Sequence, residues 1–68
     1  MKAVANVPLE ALDRIWNGRK RFANIYGPDV SGADIVIRSK GDPRHIYGLA
    51  TDYEDGIITV EIFSKEVL

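Results

Sequence analysis

Residues Ile35–Ser64, IVIRSKGDPRHIYGLATDYEDGIITVEIFS, contain their own strand register. Asp55-Gly56 is a dipeptide favoured in a two-residue type I′ hairpin, where both central residues need positive φ. Folding the chain there sets Tyr53 opposite Ile58, Thr51 opposite Val60, Leu49 opposite Ile62 and Tyr47 opposite Ser64. Every member of that set is apolar or small and uncharged. Turn chemistry and the two-residue side-chain period therefore name the same buried face.

Upstream, Ala33–Ser39 reads as a strand with Ala33, Ile35, Ile37 and Ser39 on one side. A five-residue connection, Lys40–Arg44, would set Ile37 opposite Tyr47 and Ile35 opposite Leu49, continuing that face. A four-residue connection would turn the first strand over and bury Asp34 and Arg38, so the longer one is preferred. The expectation is a three-stranded antiparallel meander, about 33–39, 45–53 and 57–64, with 45–53 in the centre. Ala3–Val7 is a candidate extra edge strand.

Pro8 to Tyr26 reads as the helix that covers this meander. Pro8 suits a first turn, where its missing N–H has no partner to lose. Leu9, Leu12, Ile15, Trp16, Phe22, Ala23 and Tyr26 recur at three- and four-residue spacing, and Gly27-Pro28 would end the element. Gly18 interrupts it at a cost of about 1 kcal/mol relative to Ala. One helix over about 8–26, kinked at Gly18, is preferred to a break at Asn17, which would place three cations at the start of a second helix. The chain is thus read as one small α+β domain, residues 1–68.

Ordering 68 residues costs about 100 kcal/mol at roughly 1.5 kcal/mol each, and about 4,000 Å² of apolar burial offsets it. A chain this small buries about that much alone, so a homodimer or a partner is an expectation from size. Without cysteine, neither a disulfide framework nor a thiolate metal site can add stability. The start has no apolar run long enough for a signal peptide, and no stretch approaches a membrane span, so the reading is cytoplasmic with no membrane partner.

No catalytic set can be assembled from these residues. His45 is the one histidine, and no serine or carboxylate is placed as its triad partner. Asp52, Glu54 and Asp55 lack the calcium-loop spacing. Gly27–Asp34 has the glycine separation of a phosphate loop but Ala33 and Asp34 where Lys and Ser/Thr are required. Neither an enzyme, a metal site nor a cofactor is expected.

Two binding readings remain. In the meander register Val36, Gly48 and Phe63 line up on the face away from the helix, flanked by Ile46, Ala50 and Ile57. Phe63 could simply pack over Gly48 to stabilise the sheet. Alternatively, this apolar centre with a charged rim is a protein-docking face made of Val36, Arg38, Ile46, Asp52, Glu54, Asp55, Glu61 and Phe63. That gives a small non-catalytic regulator or inhibitor acting on a protein partner; size class alone adds the phage or mobile-element accessory type. The alternative is a small nucleic-acid-binding regulator using Arg19, Lys20, Arg21, Arg38, Lys40 and Arg44, with Tyr47 or Phe22 available for stacking. Against it stands a net charge of −1. The charge is unevenly spread: residues 1–50 hold eight Lys/Arg against five Asp/Glu, and residues 51–68 one against five.

Overall fold

The Asp55-Gly56 turn forms as its chemistry requires, with φ of 51° and 78° at the two central residues. In the computed structural model, which describes residues 1–68, it joins two long strands, β4 (Arg44–Glu54) and β5 (Ile57–Val67). Tyr53 faces Ile58 and Tyr47 faces Ser64, as the turn dictates. Between those pairs the register slips by one, so Ala50 faces Val60 and Gly48 faces Ile62. Thr51 is the extra residue on β4 and Phe63 the extra residue on β5. These are two β-bulges on opposite strands whose shifts cancel at the ends of the ribbon.

The consequence is a correction to the buried face. β5 keeps Ile58, Val60 and Ile62 inward, but β4 turns over beyond Thr51. Ile46 and Ala50, both fully buried, enter the core in place of Tyr47, Leu49 and Thr51. β3 (Asp34–Arg38) then pairs Ile37 with Ile46 and Ile35 with Gly48, one residue away from the register preferred from sequence. The shorter connection does not bury Asp34 or Arg38, because the central strand turns over and β3 does not. Gly48 makes the crossing feasible. A Cβ there would collide with the Glu61 carbonyl oxygen and lie 2.7 Å from Val60 Cγ1.

The second correction concerns the helix. Helix α1 spans only Leu9–Asn17, and Gly18 is already extended, its N–H closing on the Arg14 carbonyl at 3.1 Å. Beyond it, Phe22–Tyr26 is a strand, β2, paired antiparallel with β5. Ala23 and Ile25 point inward while Phe22, Asn24 and Tyr26 point out, a two-residue period that competes with the helical spacing of Phe22, Ala23 and Tyr26. The strand wins because it pairs the free edge of β5, which a helix would leave open. The Ala3–Val7 segment supplies the opposite edge as β1 (Lys2–Asn6), parallel to β3 with Ala3 beside Ile35 and Ala5 beside Ile37.

The architecture is therefore mostly β: one short helix on a mixed five-stranded sheet of order β1-β3-β4-β5-β2, curled as a half-barrel. It is not a three-stranded antiparallel meander under a long helix. Because β1 and β2 are opposite edges, α1 crosses the concave side between them and buries Leu12 and Ile15 against the isoleucines of the sheet. Two cations fasten it. Lys65 Nζ donates to the carbonyl oxygens of Trp16 and Gly18, at 2.9 and 3.0 Å, where the helix dipole is negative. Arg44 reaches Asp13 at 2.7 Å and Asp42 at 2.8 Å, with its guanidinium over the Trp16 ring.

Two stability outcomes follow from this packing. Ile46→Ala should cost about 3 kcal/mol and Thr51→Ala under about 1 kcal/mol by urea denaturation, the reverse of what an unbulged register requires. Gly48→Ala should cost about 2–3 kcal/mol, since the added methyl meets backbone that cannot yield.

A pH effect follows from the Arg44 contacts. Hydrogen bonds from the Arg44 side chain and backbone N–H hold the Asp42 carboxyl at about 2, below its ordinary 3.8. A depressed carboxyl stabilises the fold above its unfolded value and loses that contribution as pH falls through its folded one. The difference in urea midpoint between the wild type and Asp42→Asn should stay constant from about pH 7 to pH 5 and close between about pH 4 and pH 2.

Candidate functional site

With the only helix on the concave side, side-chain alternation assigns every second strand residue to a convex face that no element covers. One row across it runs Lys2, Asp34, Leu49, Glu61, Phe22 over all five strands. The next runs Val4, Val36, Tyr47, Ser64, with the bulged Phe63 beside Ser64. A bulge sends two successive side chains to the same side, and here it turns Ser64 out beside the Phe63 ring that alternation already places on this surface. Phe63 is 62% exposed, Val4 60% and Phe22 46%. Val36, in the same row, is buried.

Charges frame this apolar centre. Arg21 Nε lies 3.3 Å from Glu61 Oε2, and its guanidinium sits over the Phe22 ring. The Arg38 Nε is buried without a hydrogen-bond partner. His45 stacks on Tyr47 with ring centres 6.2 Å apart, and its Nδ1 is 2.9 Å from the Pro43 carbonyl oxygen. At one end the loop before β3 runs beside the β4–β5 hairpin, joined by Gly27 N–H to the Gly56 carbonyl and Gly32 N–H to the Ala50 carbonyl. That juxtaposition collects Asp29, Asp34, Asp52, Glu54 and Asp55 at one pole. Asp29 is held below the ordinary carboxylate range by the Ser31 backbone N–H and hydroxyl, so it is charged at neutral pH.

Of the residues read from sequence as a docking face, Val36, Arg38, Glu61 and Phe63 do share the convex surface, and Asp52, Glu54 and Asp55 form its acidic end. Ile46 does not belong there. It is fully buried on the helix side, and Gly48 and Ala50 face the core with it. Tyr47, Leu49, Phe22 and Val4 take their place. The Thr51 bulge hides this exchange from a sequence reading; only the tolerance of Gly48 for close approach hints at it.

The basic set divides. Arg21 is paired with Glu61, and Arg44 is committed to Asp13 and Asp42. Arg38 lies on β3 and Lys40 in the β3–β4 loop, apart from the others. Arg19 and Lys20 stand on the loop between α1 and β2 and not on a helix. No helix is long and apolar enough to cross a membrane. No family model, curated protein or solved structure matches the chain.

Proposed function

We propose that this chain is a non-catalytic binding protein that docks on a protein partner through the convex sheet face and regulates that partner by occupying its surface. The supporting observation is Phe63, a phenyl ring 62% exposed at the centre of a face without a covering layer. The missing Cβ of Gly48 points toward Val60, so Phe63 is not filling the glycine's place. An aromatic anchor inside a rim of Arg21, Arg38, Asp34 and Glu61 has the arrangement of an interface hot spot. The acidic pole beside it would steer the approach of a basic partner surface.

Phe63→Lys should leave the circular dichroism spectrum and urea midpoint nearly unchanged, since the ring is mostly in solvent. It should weaken partner capture from the native cell, or self-association in sedimentation, by about 100-fold. Glu61→Arg should weaken the same contact less, through slower association. Equal recovery of the same proteins by wild type and Phe63→Lys, with nuclease present, would remove this reading.

A further inference from the structure

At the β2 edge of the sheet, beside the end of α1, lies a cleft of about 390 Å³, reached by Phe22 from the convex face and by Ile15 and Ile62 from the helix side. Arg14, Arg19 and Lys20 line it, and no carboxylate does. None of these three cations is in an ion pair or a hydrogen bond, whereas Arg21, Arg44 and Lys65 all have partners. The sequence reading includes Arg19 and Lys20 but misses Arg14, which the fold brings to them from the preceding helix.

The rest of the wall is chemically distinct. Ile15, Phe22 and Ile62 make an apolar side. Asn24 accepts a hydrogen bond from the Thr59 hydroxyl at 3.1 Å through Oδ1, which leaves its amide N–H groups free to donate.

We infer that this cleft binds a nucleotide, with Arg14, Arg19 and Lys20 on the phosphate and the base against the Phe22 side. Guanidinium groups match phosphate oxygens in pairs, and lysine adds a mobile point charge. Inorganic phosphate would leave the apolar wall wet, while a nucleotide covers both halves. The volume lies within the range of small-ligand sites and suits one nucleotide better than a duplex groove. Net charge is a poor guide here, because Asp29, Asp34, Asp52, Glu54 and Asp55 are gathered at the hairpin pole. The nucleotide can come free or as one unit of a single strand.

The test uses fluorescein-labelled dT10 by anisotropy and adenosine monophosphate by calorimetry, both at ~50 mM salt. Saturable binding of either probe is expected. For dT10, three phosphate contacts give log K against log salt a slope of about −2, and Lys20→Ala should weaken binding roughly fivefold and flatten that slope. The triple variant Arg14→Ala, Arg19→Ala, Lys20→Ala should abolish it, with Arg38→Ala and Lys40→Ala within twofold of wild type and Phe63→Lys unaffected. Binding of dT10 alone assigns the site to a strand; comparable binding of the monophosphate assigns it to a free nucleotide. The inference is overturned if neither probe binds, if the triple variant binds as well as wild type, or if polyglutamate competes as effectively as dT10.

Discussion

Everything in this fold depends on how closely β4 and β5 approach each other at Gly48. The hairpin turn launches the two strands in one register, and the Thr51 bulge shifts them into another in which Gly48 meets Ile62. Only a residue without a side chain fits between Val60 and the Glu61 carbonyl at that point. The Phe63 bulge then restores the starting register. From the Thr51 bulge to the start of β4, Ile46 and Ala50 are carried into the core and Tyr47 and Leu49 out of it. A strongly twisted, bulged ribbon of this kind also curls, which lets a single nine-residue helix fill the concave side.

Much of this was legible in the residues, and the failures have specific causes. Asp55-Gly56 could be only a tight hairpin, and Ile58, Val60, Ile35 and Ile37 alternate too cleanly to face elsewhere. On β4, by contrast, Ile46-Gly48-Ala50 and Tyr47-Leu49-Thr51 are both acceptable inward sets. The choice is made by a bulge, which no local signal announces. Phe22–Tyr26 fits either period, because Phe22, Ala23 and Tyr26 share a helical face and Ala23 and Ile25 a strand face. What decides is the open edge of β5, a partner distant in sequence. The docking face inherited the first ambiguity, which is why it was read with Ile46 in it and without Tyr47. The basic cleft inherited the second, since Arg14 approaches Arg19 and Lys20 only when the helix stops at Asn17.

The two surfaces meet at Phe22 on the β2 edge, which belongs to the convex row and also lines the cleft. The convex side presents aromatic and aliphatic side chains among charges of both signs, of which Arg21 and Glu61 are paired, and the acidic pole lies at its hairpin end. The concave side holds the helix, and at its end, beside the β2 edge, stand cations left without partners. In a chain whose core is near the lower limit for independent folding, three unpaired cations around one cleft are a standing electrostatic cost that a bound anion would relieve.

The register of the β4–β5 ribbon is the claim on which both surfaces rest, and cross-strand nuclear Overhauser contacts read it directly. The bulged ribbon requires contacts of Ala50 with Val60 and of Gly48 with Ile62, flanked by Tyr53 with Ile58 and Tyr47 with Ser64. Contacts of Thr51 with Val60 and Leu49 with Ile62 would mean a continuous register, return Tyr47 and Leu49 to the core, and contradict the fold and both binding surfaces together.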